Sequence, residues 1–568
     1  MIVSLTVLFL VSFSLQALAS PEDFVQLCPG VTIDHSISPS FEQGELDWLC
    51  GDSESKGYRE IPEYQASLHA KAFLQKRGYL DPKFQFENKT LLIRTGKQFR
   101  LQEIQEKTTG ESEILKSIEA RFAGSVMTPG LLNSVQAEVA RELKLEGYPC
   151  PEVEVESLGE VVRVSIRRGK QVNFESLEIL YPTSLHEAAF LRFQPFKMDQ
   201  VYDVSKIDLY EKRLLRENIV HATNVRNICR GAKPLLEQSF MLGPPKTVRF
   251  GVGIDTERGP FVNFSWDNHR FKQMASKLSL DAQVSKPDQA INTLTEYYLW
   301  TQHPRLAVQP EARLQRKSRD DFREIKSQLD LGLFRSWDLQ NHFIRMGAGP
   351  SLTANWFGDD SSGGQLKNDK AIELFVSVDH MSHGYEVSDI VADQGLWNKL
   401  NFVHRGKAMG ADYTTTRMEL NSVWVDPLKL SGSKKFYGAL RWGGAISRSD
   451  APSLDLLPPS SKTYLGGFSN LRGFELDELP ENSGLGALTS IYFGGEIRGS
   501  RLILDTLFPY IFFDAGKYGL SSMTFDSNLF WSTGFGLRWL SPLGLVQGYV
   551  STTSTRNVYF HAGLGGQF

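Results

Sequence analysis

Repeated alternation of apolar residues with polar or small ones, in segments between Lys246 and Phe568, is the feature that most constrains this chain. The closing segment shows it most clearly. Its residues on one face are Val558, Phe560, Ala562, Leu564, Gly566 and Phe568, and on the other Asn557, Tyr559, His561, Gly563, Gly565 and Gln567. Successive side chains of a strand point to opposite faces, so this pattern is expected where lipid lies on one side and a wet lumen on the other. The segment therefore predicts a transmembrane β-barrel.

The length of this segment and its connections give the strand number and orientation. At roughly 20 residues for each tilted strand with its connection, about sixteen strands are expected. An even number leaves both ends on the same, periplasmic, side. Connections alternate between tight, as at Ser541–Gly544, and long, as at Ser447–Ala487, which is typical of periplasmic turns and outer loops. A soluble β-sandwich is the alternative, although its strands usually point a charged face at water.

The first residues resemble an export signal. Ile2 to Leu18 is almost unbroken apolar sequence and ends in Ala17-Leu18-Ala19, so residues 1–19 are predicted to be a signal peptide and the mature chain to begin near Ser20. No Lys or Arg precedes the apolar stretch, which leaves an uncleaved anchor as the alternative. No run of eighteen apolar residues follows anywhere, which excludes a membrane protein built from several helices.

Charge and cysteines narrow the partners and the compartment. The chain has 62 basic and 66 acidic residues, a balance that predicts no nucleic-acid partner. Its four cysteines, an even number in an exported chain, suit one or two disulfides. These are Cys28, Cys50, Cys150 and Cys229. Cys28 with Cys50 is the favoured pair because both lie in the first small domain, and without a C-x-x-C spacing metal ligation is the weaker alternative.

From Pro21 to Gly243 the chain mixes helical and strand patterns and contains a faint repeat. A helix ending at Gly78-Tyr79 and another ending at Gly147-Tyr148 are each followed by two short strands, and a third unit follows from Val172. Gly243-Pro244-Pro245 marks the start of the barrel. The predicted domains are 20–96, 97–171, 172–243 and the barrel 246–568. Three unrelated α/β segments are the alternative to a repeat.

One long connection carries a constellation of charged residues. Tyr464 to Phe474 is rich in glycine yet contains aromatics and Arg472, which fits a loop folded back into a lumen. By parity Glu496 and Asp514 face inward on neighbouring strands, where they repel each other unless a cation lies between them. Arg472 offers the planar donor fork that binds two carboxylates. Parity also turns Arg498 and Arg538 inward, so the identity of the cation stays open, as does chance pairing of ordinary lumenal charges.

Several stretches together resemble the superfamily of outer-membrane barrels with polypeptide-transport-associated (POTRA) domains. They are Leu471-Arg472-Gly473-Phe474, Phe512-Phe513-Asp514-Ala515-Gly516, the run from Gly534 to Gly544, and Gly563-Leu564-Gly565 before Phe568. Lys246 to Pro260 is similar to the first barrel strand of TamA-like members, and three repeats fit that branch better than the five of BamA-type factors or the two of two-partner secretion transporters. One departure is Val546–Tyr549, which lacks the acidic residue common in the family.

The resemblance implies a fold and a set of sites. The fold is α+β, with POTRA repeats followed by a 16-stranded antiparallel transmembrane β-barrel. The lumenal loop clasp consists of Arg472, Gly473, Phe474, Glu496 and Asp514. A weak lateral seam is implied between the first strand, Thr247–Glu257, and the last, Asn557–Phe568. Its residues are Phe250, Gly251, Gly253, Gly563, Gly565, Gly566 and Phe568; glycines there remove packing side chains and weaken pairing.

These features predict an outer-membrane factor that inserts or exports client polypeptides through the seam, with its N-terminal domains in the periplasm. A two-partner-type pore that passes a dedicated substrate through the lumen is the alternative, and a passive porin is the third class. Expected partners are client polypeptides, outer-membrane lipids and an inner-membrane-anchored protein that spans the periplasm. No enzymatic motif is present, so no catalytic residue, cofactor or metal is expected; His380 and His383 are interpreted as incidental.

Overall fold

The fold is taken from a computed structural model of the chain. It describes residues 24–34, 41–50, 63–107, 112–175, 177–180, 184–229, 235–319, 322–358, 367–386, 392–428, 436–480, 486–500, 504, 506–541, 544–555 and 557–564. The predicted signal peptide lies outside these residues. In the described part of the chain no helix combines the length and the apolar character needed to cross a bilayer.

The chain divides into two compact units, the first made of residues up to Phe174 with 199–204 and 229–234. Its elements are β1 (Phe24–Cys28), β2 (Val31–Asp34), α1 (Gln43–Cys50), α2 (Glu63–Gln75), β3 (Lys83–Glu87), β4 (Thr90–Arg94), β5 (Glu103–Glu106), α3 (Ser112–Phe122), α4 (Pro129–Leu145), β6 (Glu152–Leu158) and β7 (Val161–Arg167). They form a four-stranded sheet in the order β1-β2-β4-β3 and a three-stranded sheet in the order β5-β7-β6.

Helix α4 shows why the second of these sheets acquires a core. Thr128 caps its first turn by accepting a hydrogen bond from the Leu131 amide at 3.0 Å, and Pro129 opens the helix where no amide donor is needed. Apolar residues at a spacing of three to four then bury one face against β6 and β7. The buried residues of this face are Leu131, Val135, Val139 and Leu143.

Two disulfides are present in the first unit. Cys28 is bonded to Cys50, the pair favoured from the sequence, and Cys150 is bonded to Cys229. The first sheet is so small that its core consists of few residues, and cross-links are a common supplement in such exported domains.

The second unit contains a further α/β domain and the barrel. The α/β part, here the third domain, consists of β8 (Leu177–Ile179), α5 (Ala188–Leu191), α6 (Val204–Arg216), β9 (Ala222–Ile228) and β10 (Leu235–Met241), with the sheet order β8-β10-β9. Phe190 packs on Phe240 with ring centroids 4.9 Å apart, and buried Tyr210 donates to Gln238 at 2.9 Å. Whether the three α/β parts are POTRA repeats with the boundaries given above stays a prediction.

Sixteen antiparallel strands close into a barrel, which confirms the predicted strand number. They are β11 (Lys246–Asp255), β12 (Gly259–Phe271), β13 (Ser276–Ser285), β14 (Asp288–Tyr298), β15 (Leu306–Ser318), β16 (Arg323–Leu339), β17 (His342–Phe357), β18 (Asp369–Ser382), β19 (Gly395–Arg405), β20 (Thr415–Leu428), β21 (Phe436–Ser449), β22 (Thr489–Gly499), β23 (Leu507–Gly519), β24 (Phe530–Ser541), β25 (Gly544–Thr553) and β26 (Val558–Leu564). A short helix, α7 (His383–Glu386), follows β18.

Side-chain exposure follows the alternation. On β11 the residues Val248, Phe250, Val252 and Ile254 are all exposed on the outer wall, and on β26 so are Val558 and Phe560. The first strand differs from its predicted bounds, since it ends at Asp255 and Glu257 lies in the turn to β12. The Asp255 carboxylate accepts hydrogen bonds from the Glu257 and Arg258 amides, which bends the chain there.

Candidate functional site

The first and last barrel strands meet over a short stretch. In the described residues β11 pairs with β26 at two positions, Ile254 with Leu564 and Asp255 with Gly563. The neighbouring strands β24 and β25 pair at ten consecutive positions. Gly251, Gly253 and Gly563 supply no side chains to pack along the described part of this junction. The predicted seam residues Gly565, Gly566 and Phe568 lie outside the described residues.

Gly253 is the seam glycine whose missing side chain matters most. A Cβ atom there would lie 2.5 Å from the Leu564 carbonyl oxygen and 2.3 Å from the Phe261 ring. Gly251, two residues earlier on the same face, would meet nothing within 4 Å. The last strand can therefore approach the first only because position 253 carries no side chain, whereas position 251 imposes no such restriction.

The structure brings Arg472 together with both predicted carboxylates inside the barrel. Its guanidinium donates to Asp514 from Nε at 2.8 Å and from Nη2 at 2.9 Å, and to Glu496 from Nη1 at 2.7 Å. The Arg472 amide adds a bond to Asp514 at 3.1 Å, and the Phe512 ring lies 3.8 Å below the guanidinium. The Arg472 side chain is 2% exposed and that of Asp514 is 0% exposed, so water does not compete for these bonds.

Three further arginines surround the same two carboxylates. Arg538 donates to Glu496 at 2.6 Å, and Arg498 lies 3.5 Å from it. Arg441 donates to Asp514 at 2.5 Å and also to the Phe468 carbonyl oxygen at 2.8 Å. Sequence reasoning identified Arg498 and Arg538 as inward-facing but missed Arg441. The strand pattern could have identified Arg441, because it lies between Leu440 and Trp442, which face outward, and so faces inward itself.

The two residues after Arg472 fix the loop against β24 and β25. Gly473 adopts φ +87°, and a Cβ atom there would lie 2.8 Å from Ser551 Oγ, so a side chain is excluded for two reasons. Phe474 is buried and meets Phe530 edge to face at 5.9 Å. The loop is thus anchored by an ion-paired arginine on one side and by an aromatic contact on the other.

A family model matches the part of the chain that holds these contacts. The model of the Omp85 superfamily domain matches residues 386–568, which include the loop, the clasp carboxylates and the last strand. These residues form an Omp85 superfamily domain.

Several solved structures are similar to this chain. BamA from Haemophilus ducreyi lacking POTRA domains 1–3 is 13% identical, with a TM-score of 0.51, over 82% of this chain and 99% of that one. CdiB from Acinetobacter baumannii is 13% identical with a TM-score of 0.49, over 82% and 89%, and CdiB from Escherichia coli is 13% identical with a TM-score of 0.48, over 93% and 100%. The BamA likeness shows the barrel fold; TamA-like specificity stays a prediction.

A second set of contacts joins the third domain to the Omp85 barrel, and sequence reasoning missed it. Arg213 of α6 donates to Asp338 of β16 at 2.7 Å and to Glu386 of α7 at 2.6 Å. Burial lowers the pKa of the Arg213 guanidinium, but its bonds to Glu386 and Asp338 outweigh burial and raise the pKa above its ordinary value. Arg192 donates at 2.6 Å to the carbonyl oxygens of Met274 and Ala275 in the β12–β13 turn.

These contacts lie at the barrel end where β11 begins. Lys206 of α6 adds a bond at 2.7 Å to the carbonyl oxygen of Gln340, in the β16–β17 turn. A cavity of about 390 Å³ lies under the third domain and is lined by charged side chains that include Arg213, Glu296 and Arg345. Charged residues along one helix are typical of a solvent-exposed face. The sequence alone therefore does not indicate that this helix docks on the barrel.

Proposed function

We propose that this protein is an outer-membrane assembly or translocation factor that inserts or exports client polypeptides through the seam between β11 and β26. The observation that carries the proposal is the composition of the seam, where Gly251, Gly253 and Gly563 supply no packing side chains to the first and last strands. An open strand edge presents unpaired amides and carbonyls, which a client strand satisfies by β-augmentation. The glycines make such opening less costly here than between strands that are packed by side chains.

The clasp supports this function as a fixed frame beside the seam. Arg472 and its two carboxylates hold the loop against β22 and β23, so that part of the wall stays in place when the seam separates. We propose that Arg472, Gly473, Phe474, Glu496 and Asp514 act together in this role. A frame of buried charges resists partial opening, because removing one partner leaves another charge unpaired in a dry site.

The α/β sheets are proposed to be three periplasmic POTRA domains that receive incoming chains. In the part of the chain that the structure describes, each sheet ends in edge strands, among them β6, whose residues alternate between exposed and buried or half-buried along Glu152–Leu158. Such an edge can pair with an extended client segment through main-chain hydrogen bonds. Clients, outer-membrane lipids and an inner-membrane-anchored partner that spans the periplasm complete the proposed set of partners.

A two-partner-type secretion pore is the second candidate, and one observation favours it. The lumen retains a cavity of about 680 Å³ lined by polar and charged side chains from β14 to β20, among them Arg313, Asp330 and Lys399. Against it, the loop is held inside the barrel by the ion pairs of Arg472. Transport through the lumen therefore requires the clasp to release, whereas transport through the seam does not.

Depletion of the protein in its own cell distinguishes the two candidates. An assembly factor has many clients, so quantitative proteomics of the outer membrane is expected to show several β-barrel proteins reduced together. A dedicated secretion pore leaves the membrane proteome unchanged and removes one exported protein from the medium. Expression of a form lacking residues 21–243 serves as the control for a passive porin, which keeps conducting without these residues.

A further inference from the structure

We propose that Glu257 is a positioning residue that ties the lumenal loop to both strands of the seam and holds the seam closed at the β11–β12 turn. The proposal rests on the seam-based function and names what regulates it. Glu257 lies in the turn after the first strand, and the loop that contains the clasp reaches it from inside the barrel. We call Glu257, Phe468 and His561 the seam latch.

The contacts of the latch converge from three separate elements. The Phe468 amide of the loop donates to Glu257 Oε1 at 2.8 Å. His561 of the last strand lies with Nδ1 3.8 Å from the same oxygen and 2.7 Å from the Thr256 hydroxyl. The Thr256 amide donates to the Ala562 carbonyl oxygen at 3.1 Å. The first-strand turn, the last strand and the loop therefore meet at one carboxylate and its neighbouring threonine.

Aromatic packing completes the latch on the lumenal side. The Phe468 ring is stacked on His561 with centroids 5.7 Å apart, and His561 is stacked on Tyr549 at 5.0 Å. The Glu257 side chain is 16% exposed and that of His561 is 7% exposed. Hydrogen bonds in such a partly dry site are harder to replace by water than those on an open surface. The latch thus adds side-chain contacts beside the Asp255–Gly563 pair of the seam.

The turn and the loop are both shaped to make this contact. Asp255 accepts from the Glu257 amide at 3.1 Å and from Arg258 Nε at 2.8 Å, which holds the turn in place. On the loop side Gly467 has φ +91°, and a Cβ atom there would lie 3.3 Å from Glu257 Oε2. A side chain at position 467 would strain the backbone and crowd the carboxylate, so glycine allows the loop to approach.

The latch links the loop to the seam mechanically. Phe468 is four residues from Arg472, and its carbonyl oxygen accepts a bond from Arg441, which also binds Asp514. Separation of β11 from β26 must break the Glu257 and His561 contacts, and withdrawal of the loop must break the Phe468 bond. Loop position and seam closure are therefore coupled states rather than independent ones.

The test measures seam closure without any client. Spin labels on Ile254→Cys and Leu564→Cys, a paired position of the seam, report the fraction of molecules in which the two strands are in contact. Leu329→Cys with Leu352→Cys, a paired position of β16 and β17, is the reference pair. Glu257→Ala is expected to raise the open fraction of the seam about tenfold, as loss of a buried hydrogen bond implies, and to leave the reference pair unchanged.

Two further variants decide whether the effect belongs to the latch. Glu257→Gln retains an oxygen that accepts from the Phe468 amide and is expected to keep the seam closed. Asp526→Ala removes a carboxylate that accepts a backbone amide in another loop and is expected to change nothing. An unchanged open fraction in Glu257→Ala, or an equal rise in Asp526→Ala, overturns the latch. Since no client is present, that result leaves the proposed seam route itself to be judged by client insertion.

Discussion

Two neighbouring regions of the barrel wall are built in opposite ways. Across β22, β23 and β24 the wall has long backbone ladders and a buried network of arginines around two carboxylates, with Asp514 fully buried. At the seam, only two strands away from β24, the described residues show glycines and a latch made of single contacts. This rigid panel and the seam are separated by β25 alone.

The difference teaches that opening is localised rather than spread over the barrel. In a barrel without buried ion pairs, strain is distributed among all strands. Where a rigid panel lies beside a seam of glycines and single contacts, strand separation is concentrated at the seam. The loop belongs to both regions, since Arg472 lies in the rigid panel and Phe468 lies at the seam. Four predictions test this contrast, starting with the largest effect.

The largest effect is expected from Asp514→Ala, which breaks the rigid panel. Arg472 and Arg441 both bind Asp514 in a site without water, and the substitution removes this shared partner. The free energy of unfolding is expected to fall by about 3–5 kcal/mol. The loss of unfolding free energy is measured by urea denaturation of the barrel in vesicles. Heat-modifiable mobility on gels separates the folded from the unfolded protein. Asp330→Ala is the control, because this lumenal carboxylate accepts from the neutral Gln328. Equal stability of both variants would show that the panel is no stronger than the rest of the lumen.

Arg472→Ala is expected to reduce activity more than stability. Glu496 remains bonded to Arg538 and Asp514 remains bonded to Arg441, so neither carboxylate loses its last partner. The free energy of unfolding is therefore expected to fall by under about 2 kcal/mol. Insertion of an unfolded client barrel into vesicles should nevertheless fall at least about tenfold, because the loop is no longer fixed. Arg313→Ala, which removes a largely exposed lumenal arginine, is the matched control. Unchanged client insertion would remove the clasp from the mechanism.

Gly253→Ala is expected to loosen the seam directly. The new methyl group meets the Leu564 carbonyl oxygen and the Phe261 ring, and crowding of this kind costs about 1–3 kcal/mol. Gly251→Ala, at an open position of the same strand, is expected to be neutral. Spin labels across the seam measure both variants. If the two substitutions behave alike, the close approach at position 253 does not control seam pairing.

The smallest effect is a pH dependence of the latch. Burial, together with nearby Asp255 and Asp477, raises the pKa of Glu257 to about 7, although the Phe468 amide and Arg258 lower it. His561 faces the same carboxylate from β26. Because the pKa is raised, the closed latch binds a proton that an opened, hydrated Glu257 releases.

The sign follows from this difference. Closure is most stable below the ordinary carboxyl pKa of 4.5, and the gain is lost as the pH rises through about 7. Spin labels across the seam should therefore show a larger open fraction at pH 8 than at pH 6. Glu257→Gln, which does not titrate, should abolish the slope. A slope that persists in this variant would assign the pH dependence to another group.

The sequence predicted those features that depend on local alternation. Inward Glu496 and Asp514 and outward Phe250 follow from parity alone, because each strand fixes its own faces. The first strand was placed two residues too far, at Glu257, because the turn is set by hydrogen bonds from Asp255 that no alternation encodes. The Cys28–Cys50 disulfide was predictable because both residues lie in one small domain.

What could not be predicted depends on distant contacts. Glu257 and Phe468 are far apart in sequence, and nothing in either segment indicates that they meet. The same holds for Arg213, whose partner Asp338 lies on β16 and whose partner Glu386 lies on α7. The resemblance identified the superfamily correctly, and most of its motifs lie in the matched residues 386–568. The match does not distinguish an assembly factor from a secretion pore.

A disulfide across the seam tests the central claim most directly. Ile254→Cys and Leu564→Cys, oxidised in vesicles, join the two strands where they pair. Unfolded client barrels are then added, with Leu329→Cys and Leu352→Cys as the control pair and reductant added to both. The account predicts that the oxidised seam stops client insertion, that reduction restores it, and that the control pair inserts clients under both conditions. Full insertion through an oxidised seam would contradict it.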